Sequence, residues 1–248
     1  IERAIDILES FNKINQEWSP KELGKKLKLN ISTVHRLMET LEYRGLLEQN
    51  PLNGKYRIGL KAYEIGAKYF LANSLESIAL PYLEELADKV KLTVHLAYLD
   101  TETAEIVMLY NIESKESIKI TKEVGERAPA QITSLGKAII AFAPLEKQEE
   151  IIRKIKFKAF TKFSITSPQK LKEELKIIKK RGYALDNQES GEYIRCVGAP
   201  IFNQLGRVIA AISVSGLISE INNKTIPRIA SQVIQIANKI SEKMGLTK

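Results

Sequence analysis

The stretch that decides the fold of the first part of the chain runs from residue 18 to residue 41 and reads WSPKELGKKLKLNISTVHRLMETL. At its start, Ser19 can cap a helix, a proline suits the first helical position, and Glu22 can return a hydrogen bond to the serine amide. Residues 28–30 leave a short turn in which Asn30 can cap a second helix. That helix is indicated by apolar residues at helical spacing, namely Ile31, Val34, Leu37, Met38 and Leu41. Two short helices joined by a tight turn predict a helix-turn-helix motif.

Elements on either side of this motif complete a small domain. A preceding helix is indicated by the apolar residues Ala4, Ile7, Leu8 and Phe11. Residues 46–49 and 55–58 are typical of two strands around a turn at 50–54. A hairpin directly after the second helix of the motif predicts a wing.

The helical pattern returns at residues 60–71, and Asn73 with Glu76 indicates the start of another helix. We therefore place the domain boundary near Asn73. The predicted organisation is a winged helix-turn-helix DNA-binding domain at 1–59, a connecting helix at 60–73 and a second domain at 74–248.

The second domain alternates hairpins with helices. Apolar residues follow a period of two at 92–98 and continue at 106–110, which predicts a hairpin. Further strands are predicted at 183–185, 194–202 and 207–215, and helices at 134–142, 145–155, 171–180 and 226–244. This order predicts an α+β domain in which helices flank an antiparallel sheet.

Composition excludes several classes of protein. The chain of 248 residues carries a net charge of +8, which fits a nucleic-acid partner, although the excess is not concentrated at one end. One cysteine and two histidines cannot form a disulfide framework or a zinc finger. No apolar run approaches the roughly 20 residues of a membrane span. We expect a cytoplasmic protein without metal, cofactor or membrane partner.

The polar face of the third helix suits the major groove of double-stranded DNA. Arginine can bond a guanine edge or a phosphate, and serine or threonine can bond either. The helix alone could equally be an ordinary amphipathic helix, and some winged helices bind protein instead, but the neighbouring capped helix and wing favour DNA. The predicted DNA contacts are Ser19, Lys21, Ser32, Thr33, His35, Arg36, Thr40, Lys55, Tyr56 and Arg57.

The last hairpin offers a small, polar surface. If Phe202 faces Arg207 across a four-residue turn, Cys196 lies opposite Ser213. One face is then apolar, and the other holds Cys196, Gly198, Ala211, Ser213 and Ser215. Such a face would suit a small polar ligand, or it could pack closely against a helix.

Two further segments could close a pocket over this face. The helix that opens at Ser134 and Leu135 has free amides that suit a carboxylate. Asp186, just after the strand at 183–185, could accept a ligand hydroxyl, although an aspartate in this position also suits a turn. An enzyme would need a nucleophile and a base, for which Cys196 with His95 is the available pair. Their spacing gives that alternative no support, so we predict a protein that is not an enzyme.

The chain resembles the IclR family of bacterial transcriptional regulators. The resemblance rests on RAIDIL at 3–8, STVHRL at 32–37, YRIG at 56–59, TSLGKA at 133–138, GYALD at 182–186 and the segment from Arg195 to Gly216. It implies a GAF-like effector domain, a homodimer or homotetramer, and a near-palindromic DNA operator. It also implies control by a small molecule such as an organic acid. In members that bind small acids, the matching ligand contacts are Ser134, Leu135, Asp186, Cys196, Ser213 and Ser215.

Three features depart from the family pattern. Lys28 stands in the turn where glycine is common, and Leu135 stands where a small residue is common, which should narrow the pocket. The chain begins at Ile1 without the methionine and short leader usual before this helix, so we expect a few residues to precede it. We favour a repressor, with an activator as the alternative.

Overall fold

The computed structural model describes residues 1–12, 14–72, 75–114, 120 and 122–246. The chain divides into two compact units, Ile1–Ser74 and Leu75–Lys248. The predicted cap at Asn73, and the boundary beside it, lie outside the described residues.

The first unit contains the predicted helix-turn-helix and wing. Its elements are α1 (Glu2–Glu9), α2 (Pro20–Leu27), α3 (Ile31–Tyr43), β1 (Leu47–Gln49), β2 (Tyr56–Ile58) and α4 (Leu60–Ala72). Ser19 accepts from the Glu22 amide, and the Glu22 carboxylate accepts from the Ser19 amide at 2.8 Å, which completes the predicted capping box. Asn30 caps α3 by accepting from the Ser32 amide at 3.0 Å.

The wing is fixed to the rest of the first unit by backbone pairing and burial. Trp18 and Tyr56 exchange backbone hydrogen bonds of 2.9 and 2.8 Å, which adds a bridge to the β1–β2 hairpin. The Tyr56 side chain is only 2% exposed and packs with apolar residues of the three first helices and β1, among them Ile7, Leu23, Val34, Met38 and Leu47. The predicted DNA contact by the Tyr56 side chain is therefore wrong, because its ring belongs to the core.

The turn between α2 and α3 holds a strained residue. Lys28 has φ 54° and ψ 42°, the left-handed conformation that side chains with a Cβ disfavour. Its amide and that of Leu29 both bond to the Gly24 carbonyl, so the conformation is required to end α2. This is the position at which the sequence departs from the family's glycine.

The second unit is a six-stranded antiparallel sheet with helices on both faces. Its strands are β3 (Thr93–Asp100), β4 (Glu105–Ile112), β5 (Arg127–Pro129), β6 (Ala184–Asn187), β7 (Ile194–Phe202) and β8 (Val208–Leu217), in the spatial order β5-β4-β3-β8-β7-β6. Its helices are α5 (Leu75–Val90), α6 (Ser134–Phe142), α7 (Leu145–Lys154), α8 (Pro168–Arg181) and α9 (Ile226–Lys243). The short β5 and the 3₁₀ turn Ala130–Ile132 that follows it were not predicted.

Strand alternation separates two cores on the two faces of this sheet. Val94, Leu96, Val197 and Ile212 pack under α5 and α9, as the predicted apolar face of the last hairpin requires. Ala97, Ala184 and Ala211 face the other way and pack with α6, α7 and α8. The small side chains on this second face allow α6 to lie close to the sheet.

The register of the last hairpin differs from the prediction. Phe202 pairs with Val208 rather than Arg207, and an irregularity between Ile201 and Phe202 shifts the pairing further along the strands. Cys196 therefore lies opposite Ser215 and not opposite Ser213. From Cys196 to Ile201 the shift is two residues, so the side chains of that part of β7 and of the β8 residues opposite them keep their predicted faces. Val208 was predicted on the apolar face but packs with the core beside α6, α7 and α8, because its pairing with Phe202 is shifted by one residue. Asp186 lies within β6, where the prediction placed it just after a strand.

We predict that Lys28→Gly raises the free energy of unfolding of the first unit by up to about 1 kcal/mol, because glycine adopts the left-handed conformation without the Cβ clash. Urea unfolding followed by the fluorescence of Trp18, the one tryptophan of the chain, measures this unit. Lys28→Ala is the matched control, since it removes the same exposed side chain but keeps the Cβ. Equal stability of the two variants would contradict the strain argument.

Candidate functional site

The outer face of α3 presents an unpaired arginine. Ser32, His35, Arg36 and Thr40 are exposed, whereas Thr33 is half-buried. Most of them are engaged locally: the Ser32 hydroxyl donates to Asn30 at 2.8 Å, the Thr40 hydroxyl to the Arg36 carbonyl at 2.8 Å, and His35 lies 3.3 Å from Glu39. Within the described part of the chain, no carboxylate pairs with the Arg36 guanidinium.

The positive side chains of the wing and of α2 differ in how far they are neutralised. Lys55 pairs with Glu22 at 2.8 Å and holds the pKa of that carboxyl at about 2. Arg57 pairs with Glu48, and both side chains stay about half exposed. Lys21 is exposed, whereas Ser19 is used by the capping box. Exposed pairs of this kind are weak, so a phosphate can compete for either cation.

The tip of the wing is held in place by one carboxylate. Glu17 accepts a hydrogen bond of 2.8 Å from the side-chain amide of Asn50 and another of 2.8 Å from that of Asn53. These bonds lower the pKa of Glu17. The wing turn therefore has a fixed place beside α2, which sequence patterns did not reveal.

A cavity of about 210 Å³ lies in the second unit between the sheet and the start of α6. It is lined by all six residues of the predicted ligand site, namely Ser134, Leu135, Asp186, Cys196, Ser213 and Ser215. Apolar lining that the sequence did not suggest comes from Ile106, Met108, Ile132, Phe160 and Ile194. Further polar lining comes from His95, Lys122 and Ser190.

One polar row crosses three strands at the cavity. Asp186 on β6 pairs in register with Cys196 on β7, and Cys196 pairs with Ser215 on β8. The Ser215 hydroxyl donates to the Cys196 sulfur at 3.1 Å, and the thiol donates to the Asp186 carboxylate at 3.8 Å. The corrected register thus joins the three side chains into one chain of contacts.

A second row lies two residues away from the first on β7 and β8 and continues onto β3. His95 on β3 pairs with Ser213 on β8, and Ser213 pairs with Gly198 on β7. A Cβ on Gly198 would come within 3.0 Å of the Ser134 carbonyl, so glycine is what allows the first turn of α6 to approach the sheet here. The cavity therefore lies between the helix start and a polar patch of the sheet.

The start of α6 is fixed by a second glycine and a cap. A Cβ on Gly136 would overlap the backbone of Ala130 in the preceding 3₁₀ turn. Thr133 caps the helix by accepting from the Gly136 amide at 3.0 Å. The Ser134 hydroxyl is buried and has no partner among the described residues. The helix therefore presents its remaining first-turn amides and one unsatisfied hydroxyl beside the cavity.

A buried ion pair lies behind Asp186. Lys137 is fully buried and pairs with Glu189, and the Asp186 carboxylate accepts from the Glu189 amide at 2.8 Å. Burial raises the pKa of Glu189 to about 7 and also raises that of Asp186, although the charge of Lys137 opposes both shifts. The positive charge of Lys137 thus stabilises the ionised forms of both Asp186 and Glu189, in a site that is shielded from water.

Cys196 and His95 do not form a nucleophile and base pair. The two residues lie on different rows, and the thiol contacts Asp186 and Ser215 instead. Burial and the Asp186 charge raise the pKa of Cys196 well above its usual value, which is the opposite of an activated thiol. Burial lowers the pKa of His95 to about 4, so the imidazole is neutral near pH 7. In the described ranges, no cluster of three metal-binding side chains occurs and no helix could span a membrane.

A winged helix-turn-helix unit joined to a unit with a ligand-sized cavity defines a transcriptional regulator controlled by a small molecule. Two family models match the chain: the IclR helix-turn-helix domain over residues 1–51 and the C-terminal domain of bacterial IclR transcriptional regulators over residues 67–242. The chain belongs to the IclR family, and it is a DNA-binding transcriptional regulator with a C-terminal effector-binding domain. The resemblance inferred from the sequence is therefore confirmed.

Individual relatives extend over nearly the whole chain. The transcriptional regulator XynR of Escherichia coli is 33% identical over 247 residues, which cover 99% of this chain and 96% of XynR. The transcriptional repressor IclR of Escherichia coli is 29% identical, covering 98% of this chain and 89% of the repressor. An IclR homologue from Microbacterium hydrocarbonoxydans, solved with 4-hydroxybenzoate, shares the fold with a TM-score of 0.86 at 24% identity, covering 98% of this chain and 97% of that one.

We predict that the buried carboxyl of Glu189 makes stability fall as pH rises from about 5 to 7. In that window the folded protein keeps a proton that the unfolded chain, with an ordinary glutamate pKa, has already lost. Glu189→Gln removes this titration, so the stability of the wild type relative to the variant should decline across the window by on the order of 2 kcal/mol. Chemical unfolding at several pH values measures it. The exposed Glu192→Gln is the matched control, and parallel curves for wild type and Glu189→Gln would refute the assignment.

Proposed function

We propose that the protein represses transcription by placing α3 in the major groove of an operator and that a small organic acid in the cavity controls this binding. The observation that supports DNA reading by α3 is the exposed Arg36 with no carboxylate partner in the described residues, on the face opposite Val34 and Met38. An unpaired guanidinium can bond a guanine edge in two places. Lys21, Lys55 and Arg57 then contact phosphates on either side.

The partner DNA is a near-palindromic duplex bound by a homodimer, with homotetramers as a further state. Support for self-association of the first unit comes from apolar side chains that α1 and α4 leave exposed, namely Ile5, Leu60, Tyr63 and Ile65. A two-fold symmetric dimer favours half-sites roughly 34 Å apart or a multiple of that distance. Because its target is DNA, the protein acts in the bacterial cytoplasm.

The single observation that supports an acidic effector is the position of the cavity against the start of α6. The amides of Ser134 and Leu135 have no acceptor among the described residues, and a helix start favours negative charge. The hydroxyls of Ser213 and Ser215 line the same cavity. A volume of about 210 Å³ fits only a small molecule, and Leu135 contributes to the narrowing. The relative solved with 4-hydroxybenzoate carries a carboxylic acid in its complex.

Control requires that the effector bind the DNA-competent and the DNA-incompetent states with different affinity. We assign the relay to α4, which follows the wing along the chain and precedes the effector-binding unit. A repressor agrees with the relative named as a transcriptional repressor. The alternative is an activator of the same family, which would use the same DNA-binding and effector-binding sites but would increase transcription when bound to DNA.

We propose no catalytic activity for the cavity. The competing enzyme would need the Cys196 thiolate with His95 as base, yet burial and the contact with Asp186 raise the pKa of the thiol and keep it protonated, although the Ser215 hydroxyl opposes this shift. Turnover of a bound acid by the wild type that is lost in Cys196→Ser would favour the enzyme.

We predict that Arg36→Ala weakens operator binding by about 1–3 kcal/mol, because it removes a side chain that reads a base. A gel-shift titration at fixed salt measures the loss against an operator and against unrelated duplex DNA. Arg153→Ala is the control for net charge, since Arg153 is exposed in the second unit. Unchanged operator affinity of the folded Arg36→Ala variant would show that α3 does not read DNA through this residue.

We predict that replacing Ser213 and Ser215 by alanine weakens effector binding by about 0.5–1.5 kcal/mol for each lost hydrogen bond, or up to about 3 for a charged acceptor. The ligands are small organic acids that stabilise the wild type in a thermal-shift screen, and calorimetry measures their affinity. DNA affinity without acid should not change, because both serines lie in the second unit. Ser219→Ala, at an exposed position after β8, is the control. Undiminished binding by the double variant would place the ligand elsewhere.

A further inference from the structure

His95 is a buried cavity residue to which the proposed function gives no task. It is 3% exposed, lies on β3 beside Ser213 of β8, and lines the cavity. Buried polar groups normally have a hydrogen-bond partner, and a group without one needs an explanation. The Nδ1 atom of His95 is buried and has no partner among the described residues.

The protonation state of His95 follows from its contacts. The Ile120 backbone raises the pKa of His95, which is the effect of a ring N–H directed toward the Ile120 carbonyl. Desolvation outweighs this effect and keeps the ring neutral, while Lys122 and Glu126 act on it with opposite signs. Since Nδ1 makes no bond, Nε2 is the donor and Nδ1 carries a bare lone pair. His95 therefore offers the cavity a hydrogen-bond acceptor.

The Asp186 carboxylate, the charged acceptor at the cavity, is already used. The Asp186 carboxylate accepts from the amides of Glu189 and Ser190, from the Ser190 hydroxyl and from the Cys196 thiol. Among the residues that line the cavity, the buried atoms without partners in the described structure are His95 Nδ1 and the Ser134 hydroxyl oxygen. The two unsatisfied groups lie at opposite ends of the row formed by His95, Ser213 and Gly198. His95 is itself one end, and Ser134 packs on Gly198 at the other end.

The separation of the two groups limits the shape of a ligand that satisfies both. Gly198, Ser213 and His95 occupy three neighbouring strands, so the row spans two strand spacings of roughly 4.8 Å each. Ser213 lies between the two ends, and Met108 and Leu135 add apolar lining to the same cavity. A ligand held at both ends must therefore carry its polar groups several bonds apart.

We propose that His95 is a specificity-determining residue that accepts a hydrogen bond from the effector, and that the effector is a hydroxy acid whose hydroxyl lies several bonds from its carboxylate. This inference rests on the proposed function, which places the carboxylate at the start of α6. The bare nitrogen of His95 attracts a hydroxyl and repels a keto oxygen or a second carboxylate. His95 thus allows the acid site to discriminate between acids of similar size.

Matched pairs of acids test this choice: 4-hydroxybutyrate against butyrate and 4-hydroxybenzoate against benzoate. Calorimetry on the full chain should show that the hydroxy member of at least one pair binds about tenfold more tightly, as expected for one buried hydrogen bond. In His95→Leu the ratio within that pair should fall to about one. His95→Asn places an amide oxygen near the position of Nδ1 and should restore part of the preference.

Stability and spectroscopy separate recognition from a structural role. His95→Leu removes an unsatisfied buried acceptor but also the interaction with the Ile120 carbonyl, so the two effects oppose each other and the variant should melt close to the temperature of the wild type, whereas loss of a histidine with a mainly structural role would lower it clearly. The chain has two histidines, so ¹⁵N NMR of the imidazoles resolves His95 from the exposed His35. The Nδ1 signal of His95 should shift when the preferred hydroxy acid binds, and the His35 signals should not.

The outcomes distinguish this inference from the function on which it rests. If acids bind and lose affinity in the Ser213 and Ser215 double variant, but no pair shows a preference or the preference survives in His95→Leu, the role of His95 is wrong and the acid site stands. If no acid in either pair binds, the proposed acid site fails for acids of this size, and the inference fails with it. An Nδ1 signal that does not move on binding also overturns the proposal.

Discussion

The close approach of α6 to the sheet at Gly198 is the contact on which the second unit depends. A Cβ at this position would lie 3.0 Å from the backbone of Ser134, so the start of the helix would have to move away from the sheet. With the helix in place, its free amides, a buried hydroxyl and two rows of polar side chains surround one small volume. The apolar cores on both faces hold the sheet and helices together, and this contact sets how closely the start of α6 approaches the polar rows that line the cavity.

Much of this arrangement follows from the sequence, because it depends on periodicity and on local hydrogen bonds. The caps at Ser19 and Asn30 are properties of short segments, and the structure has both of them. The ligand face was predicted despite a wrong register, since a shift of two residues leaves Cys196, Ser213 and Ser215 on the same face. The irregularity that causes the shift, between Ile201 and Phe202, has no sequence signature of its own.

The features that sequence reasoning missed arise between distant segments. The sequence around Tyr56 suits an exposed residue of the wing. In the structure its backbone pairs with Trp18, and its ring is buried in the core. Lys137 and Glu189 are 52 positions apart, and nothing in either neighbourhood indicates that they share a buried site. His95 occupies an ordinary position in the alternating pattern of a strand. What distinguishes it is that its Nδ1 atom has no hydrogen-bond partner among the described residues. A lone histidine in a strand gives no signal of that kind.

The position of Cys196 makes the cavity accessible to a chemical probe. It is the one cysteine of the chain, and it is half-buried in the wall of the cavity. Its raised pKa makes it a slow nucleophile, so modification by a thiol reagent should be gradual enough to follow in time. A molecule that fills the cavity shields the sulfur and slows the reaction further. The rate of alkylation is thus a direct measure of occupancy, and the protein needs no engineered label for it.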